Sequence, residues 1–449
     1  MSATEDRLSA TLLRPLNRSG VLWYVFVAFL GTIVASGLFA WFFQMWRGFG
    51  VTGIRWPVYW GFLITDFVFW IGISHAGTLI SAILRLVNAG WRRPVTRCAE
   101  VITAFALMIG GLFPIIHLGK PWLFFWLVPY PNQRLIWPNF RSPLVWDFFA
   151  ISAYLSGSLL FLFLPMIPDF ALIRDRSTGL RKTIYSIVAL GWRGTTTQWH
   201  RLETAMQIMA IAIIPVAVSV HTIVSFDFSM APVPMWHSSI FGPYFVAGAI
   251  FSGIAGLIIA MAALRSVLKL HEYLQPIHFE NLGKLLLTMS LLWGYFTFNE
   301  RLTAWYGNGT AEINTFQATQ SGTFAPLFWT MVLVNFVLPI LILGIRRFRT
   351  ITGCVIASIG IVIGMWLERY LIVVPSLAHK YLPYSWGTYS PRPTEILITV
   401  ATFAAMILLY TLFAKFIPII SIWEMRAGEH PAEDLIAAAE RRRLGETHA

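Results

Sequence analysis

Residues 21–46 read VLWYVFVAFLGTIVASGLFAWFFQMW and contain no charged side chain. A helix of about 20 apolar residues crosses the hydrocarbon core of a bilayer, so this run is long enough to span one. It is too long for the apolar core of a signal peptide, and no obvious cleavage site follows it. We therefore interpret it as a retained membrane-spanning helix.

Nine further apolar runs follow this first one along the chain. Backbone polar groups in lipid must be paired within their own segment, so each run is predicted to form a helix. The ten predicted spans cover residues 21–46, 58–86, 98–118, 144–167, 203–225, 239–266, 281–300, 323–345, 350–375 and 394–422. The sequence therefore predicts an all-α integral membrane protein with about ten transmembrane helices.

The composition favours the same class of protein. Of the 449 residues, 57% are hydrophobic and 12% are charged, whereas about 25% charged residues is typical of soluble domains. The net charge of +12 does not indicate nucleic-acid binding, because the basic residues lie between apolar runs and not in one patch. With only Cys98 and Cys354 and no CxxCH motif, the chain cannot hold c-type haem, an iron–sulfur cluster or zinc through cysteines.

The basic residues also predict the orientation in the membrane. If there are ten spans, they fall on one side, which is the cytoplasmic side because positive loops stay inside. There they would also contact anionic membrane lipids, and both termini would be cytoplasmic. This set comprises Arg7, Arg14, Arg18, Arg85, Arg92, Arg93, Arg97, Arg174, Arg176, Arg181, Lys182, Arg193, Arg201, Arg346, Arg347, Arg349, Arg441, Arg442 and Arg443. The opposite loops, 120–143, 227–239 and 379–393, are rich in proline and aromatic residues and are predicted to be ordered interfacial flaps.

A weak internal repeat divides the chain further. The second span opens with WPVYWGF and the sixth with GPYFVAG, and both run inward from the outer side. We therefore predict two four-helix bundles, spans 2–5 and 6–9, with peripheral first and last helices. Gly248, Ser252 and Gly256 recur every four residues in the sixth span and predict close helix packing. The predicted divisions are an N-terminal arm with the first helix (1–57), the first bundle (58–225), the second bundle (239–375), and the last helix with a cytoplasmic tail (394–449), in which 429–444 is predicted to form a short soluble helix.

Two ionisable residues interrupt the apolar pattern at one level of the membrane. His117 closes the stretch GLFPIIHLGKPW, and Asp147 opens the stretch SPLVWDFFAIS. An ionisable group near the edge of the hydrocarbon is costly and marks a candidate functional site. A histidine facing a carboxylate can take a proton from a hydroxyl group, as quinol oxidation requires. The alternative is that both residues cap helix ends and contact water.

Further polar residues lie toward the outer ends of other spans, and two lie deeper. A proton path and a purely structural role remain open for each of them. His75 shares a helix surface with Thr78, whereas Asp66 is nine residues from His75 and faces the opposite side. The members of this set are Asp66, His75, His221, Asp227, Glu300, Arg301, Glu368 and Arg369.

Two other interpretations concern parts of this set. His117 and His221 are expected at one depth, so they could ligate a b-type haem if their rings faced each other. The pairs Glu300–Arg301 and Glu368–Arg369 are adjacent in sequence, and neighbours on a helix do not face each other. We therefore predict that these four residues form ion pairs between helices.

Six stretches resemble a known family: FVFWIGISHAGTLISAILRL (67–86), GLFPIIHLGKPWLFFWLVPYPNQ (111–133), SPLVWDFFAISAYLS (142–156), SVHTIVSFDFSM (219–230), FGPYFVAGAIFSG (241–253) and IGMWLERYLIVVPSLAHKYLPYSW (363–386). They resemble the NrfD-like family of polysulfide reductase membrane subunits. The resemblance covers roughly residues 55–420 and is greatest to the ActC branch, which belongs to alternative complex III.

The resemblance implies a ten-helix bacterial inner-membrane protein that binds no haem or iron–sulfur cluster of its own. His117 and Asp147 would form the site where menaquinol or another quinol is oxidised, near the periplasm. Electrons would pass to an iron–sulfur subunit and then to multihaem cytochromes c, beside a homologous membrane subunit. The polar residues of the two bundles would form a proton route. Alternatives are a related ActF-type subunit, a secondary transporter or a b-type cytochrome.

Overall fold

The computed structural model describes residues 11–16, 19–128 and 140–426, and within these ranges it contains helices and no β-sheet. The helices are α1 Val21–Arg47, α2 Phe62–Leu86, α3 Arg93–His117, α4 Pro143–Phe163, α5 Ile167–Asp175, α6 Gly179–Val188, α7 Thr196–Ser229, α8 Phe241–Val267, α9 Pro276–Gly307, α10 Thr310–Gln320, α11 Ala325–Gly344, α12 Ile351–Ala378, α13 Pro393–Phe416 and α14 Ile422–Arg426. This confirms the predicted all-α membrane class.

Nine helical segments of the described ranges are both long enough and apolar enough to cross a membrane. The seventh predicted span lies in α9, which is not among the nine. Its 32 residues are long enough to cross, since each adds about 1.5 Å. The charges of Glu280, Lys284, Glu300 and Arg301 make it more polar than the others.

The helices pack as two groups of four, as the repeat predicted. In the first group α2, α3, α4 and α7 form a closed ring of neighbouring helices, and in the second α8, α9, α11 and α12 do the same. Helix α1 packs on α13, so the first and last long helices lie together beside the groups. Helix α2 also contacts α8 and α12, which makes it the shared wall between the two groups and explains why it is almost entirely buried.

The two groups approach most closely where α8 crosses α2. A Cβ on Gly253 would lie 2.3 Å from the Cβ of Ala76 and 2.8 Å from the carbonyl oxygen of Ile73. Only a residue without a side chain fits there, so small residues permit this crossing. Among the predicted packing residues, a Cβ on Gly256 would be no closer than 3.7 Å to Ile73. The tightest point of the crossing is therefore Gly253, a glycine outside the predicted four-residue spacing.

The last predicted span, 394–422, is wrong at its C-terminal end. Helix α13 ends at Phe416, and Ile417 is extended with φ −134° and ψ 136°. The residue before a proline is disfavoured in helical conformation, and Pro418 follows directly. The chain resumes as the short helix α14. The predicted tail helix at 429–444, part of the flap at 120–143, and Arg7, Arg18, Arg441, Arg442 and Arg443 lie outside the described residues.

Several basic residues that predicted the orientation are buried in ion pairs. Arg97 pairs with Asp169 at 2.5 Å, and Glu424 of α14 accepts from Arg85 at 2.8 Å and from Arg92 at 3.3 Å. Their side chains are therefore not lipid contacts, which corrects that part of the prediction. They attach α14 to the end of the first group that lies opposite His117.

Electrostatics favours the charged form of Glu424 in this cluster. Burial raises the pKa of Glu424, but Arg92, Arg85 and Arg97 lower it by more, so the pKa lies below its ordinary value. A buried carboxylate needs such compensation, because a charge without a partner is costly to remove from water.

Candidate functional site

His117 is the last residue of α3, and this end of α3 contacts two segments that precede α2. The half-buried ring of His117 packs on Phe49, with ring centroids 5.9 Å apart. Gln44 of α1 is fully buried and donates from Nε2 to the carbonyl oxygen of Ile116 at 3.2 Å. Helix α1 is therefore held against the end of α3, and its one amide side chain lies next to His117.

Asp147 lies in the first turn of α4, where its nearest ionisable neighbour is Asp227 near the end of α7. The two carboxyl groups are close enough to share a hydrogen bond. Asp147 is 4% exposed and Asp227 is 8% exposed. Two carboxylates at this range repel each other, so the pair is stable when one proton is shared between them.

His117 and Asp147 occupy the same level of the first group. A Cβ on Gly111 would lie 3.6 Å from Cγ2 of Ile151, which sets the antiparallel register of α3 and α4. If the same register continues along the two helices, His117 lies opposite position 145 of α4, two residues before Asp147. No hydrogen bond or ion pair joins the two side chains directly within the described ranges, where Asp147 faces Asp227 instead.

Four buried polar atoms without partners lie toward this end of the first group. Nδ1 of His117, Oε1 of Gln44, and Oδ1 of both Asp147 and Asp227 are buried and make no hydrogen bond with a described residue. Buried polar atoms are normally paired, so this set requires an explanation. The set can accept protons or hydrogen bonds from the hydroxyl groups of a bound molecule.

His75 and His221 form a second polar centre, deeper in the first group. Both are fully buried, and their ring centroids are 4.7 Å apart. Nε2 of His75 donates to the carbonyl oxygen of Ala217, because a carbonyl can only accept. Its Nδ1 and both ring nitrogens of His221 make no hydrogen bond with a described residue.

The backbone of α2 is bridged by a side chain beside His75. Oγ1 of Thr103 donates to the carbonyl oxygen of Ser74 at 2.6 Å and accepts from the amide of Thr78 at 2.9 Å. This carbonyl and this amide are four residues apart and would be partners in a regular helix. The hydroxyl of Tyr154 donates to the same carbonyl at 3.2 Å. Helix α3 and helix α4 therefore both contact the α2 backbone at this level.

The geometry does not bring together the two histidines considered for haem ligation. His117 packs on Phe49, whereas His221 packs on His75 and, at 6.0 Å, on Phe245. In residues 11–16, 19–128 and 140–426 no group of three or more His, Cys, Asp or Glu residues is arranged to hold a metal ion.

Asp66 lies on the other face of α2 from His75. Its carboxylate accepts from Nε1 of Trp366 at 2.8 Å and from Oγ1 of Thr399 at 2.5 Å. It therefore joins α2 to α12 and α13. Both oxygens have partners, which is the arrangement expected of a structural carboxylate.

The prediction of ion pairs between helices is wrong for the two adjacent pairs. Arg369 contacts Glu368 of its own helix at 3.0 Å, and Arg301 contacts Glu300 at 3.7 Å. Adjacent side chains leave a helix about 100° apart, but long arginine side chains can turn back when the surroundings are apolar. The bond between helices is instead the one from Nε1 of Trp293 to Glu368 at 2.6 Å.

The Glu368–Arg369 pair approaches the two-histidine centre through one aromatic ring. The guanidinium of Arg369 lies 4.6 Å from the ring centroid of Phe245, and that ring also packs on His221. A single side chain, Phe245, therefore separates the polar residues of the second group from those of the first group. Glu300 and Arg301 lie farther along, where Arg301 also donates to Thr319 at 3.1 Å.

Sequence reasoning missed several buried polar residues, among them Gln44 and Glu100. Gln44 is the single amide in the apolar run 21–46, and this was a usable signal because polar groups in spans are rare. Glu100 of α3 accepts a 2.5 Å hydrogen bond from Ser81 of α2. It stands alone as a carboxylate near the start of a predicted span, and the same rule would have identified it.

Comparison with protein families gives one match that covers most of the chain. The family model described as "Polysulphide reductase, NrfD" matches residues 50–379. This range contains α2 to α12 and with them His75, His117, Asp147, His221 and Asp227.

Three individual proteins are similar over nearly their full lengths. A protein of Halobacterium salinarum, provisionally named as the C membrane subunit of dimethyl sulfoxide reductase, is 25% identical over 91% of this chain and 94% of its own. The C subunit of the selenate reductase of Mesobacillus selenatarsenatis is 25% identical over 89% of this chain and 94% of its own. The Hdr-like menaquinol oxidoreductase integral membrane subunit of Archaeoglobus fulgidus is 24% identical over 83% of this chain and 85% of its own.

Proposed function

Since the chain belongs to the NrfD polysulphide reductase family, we propose that it is the quinol-binding membrane subunit of an electron-transfer complex. Its relatives are membrane subunits of reductase and menaquinol oxidoreductase complexes. The observation that carries the proposal is the set of buried, unpartnered polar atoms on His117, Gln44, Asp147 and Asp227, toward one end of the first group.

The chemistry of this set suits a quinol headgroup. Oxidation of a quinol releases two electrons and two protons, so its two hydroxyl groups need acceptors. Nδ1 of His117 can accept one proton, and the Asp147–Asp227 pair can accept the other. The ring of Phe49 offers an apolar face beside His117 for the flat headgroup. A set of this kind takes protons from the substrate while a partner takes its electrons.

The electrons then require a partner subunit. We propose an iron–sulfur subunit docked over the outer loops, which passes electrons to multihaem cytochromes c, as in the ActC type of alternative complex III. A homologous membrane subunit of the ActF type would complete the assembly. The protein would lie in the bacterial inner membrane with both termini cytoplasmic and the quinol site toward the periplasm. Menaquinol is the proposed substrate.

The second part of the proposal is a proton route through the interior. His75 and His221 lie on one side of the Phe245 ring, and Arg369 and Glu368 lie on the other, which supports a route between the two groups of helices in which water carries the proton past this ring. Asp227 lies about 9 Å farther along α7 than His221 and would be the entry to this route from the quinol end. Glu300 and Arg301 extend it in α9. Asp66 belongs to the proposed set, although both its oxygens already have partners.

Purification from native membranes tests the first part. We expect the chain to copurify with subunits that carry iron–sulfur clusters and c-type haem, and the complex to oxidise a menaquinol analogue with a soluble electron acceptor. Omitting the quinol is the control for background transfer. A chain that purifies without redox partners and transports a solute in proteoliposomes would contradict the proposal, as would an α-band of b-type haem in the chain alone.

Glu368→Gln tests the proton route. Nε1 of Trp293 can still donate to the amide oxygen, so the hydrogen bond between helices is kept while the charge is lost. We expect a lower ratio of protons translocated per electron in proteoliposomes, with quinol oxidation itself still proceeding.

Two further variants make the result of that experiment interpretable. The double variant Glu368→Gln/Arg369→Gln removes both charges and avoids leaving the arginine uncompensated. Glu280→Gln removes a carboxylate from an exposed pair with Lys284 and should keep the normal ratio. An unchanged ratio in both Glu368 variants would remove this residue from the route.

A further inference from the structure

A cavity of about 240 Å³ lies at the end of the first group opposite His117. Its walls come from α5, the turn between α6 and α7, the start of α7, and α14. Pockets that enclose whole drug-sized ligands have about 300–1,000 Å³. This cavity is large enough for a small headgroup and too small for a complete lipid.

The charges that line the cavity are positive in sum. Asp169 is neutralised by Arg97 at 2.5 Å, and Asp175 by Arg174 at 2.7 Å. Arg193 contributes a further positive charge to the lining. An anion in the cavity would therefore meet a favourable potential.

Two indole groups supply hydrogen-bond donors to the same space. Gly194 also lines the cavity. Nε1 of Trp199 and Nε1 of Trp192 lie 3.8 Å and 4.0 Å from the point that a Cβ would occupy on this glycine. Neither N–H donates to a residue of the described ranges. The third lining indole, Trp423, already donates to the carbonyl oxygen of Pro165 at 2.8 Å. An indole N–H can only donate, so the two remaining groups favour an acceptor such as a phosphate oxygen.

The position of the cavity selects the source of that phosphate. It opens at the end of the helices where the basic residues cluster, which is the cytoplasmic end by the charge rule. Tryptophan is enriched at the level of lipid headgroups, and basic pockets between transmembrane helices on that side bind anionic headgroups. We propose that this cavity is a binding site for the phosphate of an anionic phospholipid, with Arg193 and the N–H groups of Trp192 and Trp199 as its recognition elements.

Titration with phosphatidylglycerol tests this site. The full chain, with the subunits that accompany it, is placed in phosphatidylcholine nanodiscs, and retained anionic lipid is counted by native mass spectrometry. A basic residue near a headgroup contributes about 1 kcal/mol, so Arg193→Gln should weaken the apparent affinity about five-fold. Trp192→Phe keeps an aromatic ring, removes the N–H and should also weaken the apparent affinity.

The matched control is Arg201→Gln, an exposed arginine on the same face that does not line the cavity. It removes the same charge and should retain wild-type affinity. Equal losses in Arg193→Gln and Arg201→Gln would mean that general surface charge holds the lipid, and this would overturn the site.

A second arm separates the lipid from free phosphate. Inorganic phosphate is added at the same concentrations, and we expect it to displace little phosphatidylglycerol, because it lacks the acyl chains that anchor the lipid in the membrane. If inorganic phosphate displaces the lipid at equal concentration, the cavity is a site for free phosphate and the proposal is wrong. Both arms are independent of quinol oxidation, so they test the cavity whether or not the proposed function holds.

Discussion

Asp147→Asn and His117→Ala should each reduce quinol-dependent turnover about 10²- to 10⁴-fold, the range in which general acid–base groups contribute. Asparagine keeps the shape of Asp147 but cannot take a proton, and it leaves Asp227 without a partner carboxyl group. Alanine at position 117 removes the Nδ1 that has no described partner. The measurement is the steady-state rate with a menaquinol analogue, using the complex purified with its accompanying subunits.

Three controls distinguish a chemical role from a structural one. His271→Ala removes an exposed histidine and should leave turnover unchanged. Asp147→Glu retains a carboxyl group and should recover part of the activity. Gln44→Leu should raise the KM for quinol more than it lowers kcat, because Gln44 lies beside His117 but cannot accept a proton from the substrate. Near-normal turnover in both Asp147→Asn and His117→Ala would remove the quinol site from this end of the protein.

Glu424→Gln should lower the free energy of unfolding by about 3–5 kcal/mol, the usual effect of removing one partner from a buried ion pair. Glu424 is 2% exposed and compensates Arg85 and Arg92, so the variant leaves buried Arg92 without its carboxylate and leaves Arg85 with only its 3.4 Å pair to Glu203. The measurement is thermal or denaturant unfolding of the complex in detergent. The end of the first group around α14 should lose its protection from hydrogen exchange first.

The pH dependence of stability gives a second readout of the same residue. The pKa of Glu424 is lowered in the folded protein, so its contribution is fully present above the ordinary pKa of about 4.3 and is lost as the pH falls below it. The variant should lack this loss. Glu280→Gln breaks a 3.0 Å pair with Lys284 and a 3.7 Å pair with Arg349 near the surface, and it should lower the free energy of unfolding much less than Glu424→Gln does. Equal stabilities of Glu424→Gln and the wild type would show that α14 is held by other contacts.

The helical architecture could be predicted because each span is long and apolar enough to be recognised in isolation. The grouping into two bundles also followed, since the repeat and the direction of each span determine which helices can be neighbours. The errors in the fold have local causes. Ile417 precedes a proline and leaves the helix. The length of an apolar run does not show where a proline ends the helix within it.

The site was only partly predictable. The sequence indicates the depth of a residue in the membrane, but it does not indicate which neighbouring helix the side chain faces. The positions of His117 and Asp147 in their helices set a common level. Which side chains meet at that level depends on the rotation of each helix, and so Asp147 faces Asp227. The same limit applies to Gln44, whose helix lies outside both groups of four and reaches His117 only through tertiary packing.

The side-chain bridge in α2 has a mechanical consequence. In most helices a bend leaves a carbonyl and an amide unpaired, and in an apolar interior this is the main resistance to bending. At Ser74 and Thr78 both groups already bond to Thr103. If the helix bends there, both groups keep a partner in Thr103, so a bend at this turn costs less than at a turn without such a bridge. His75 lies at this level, so such a bend would change the distance between its imidazole and that of His221.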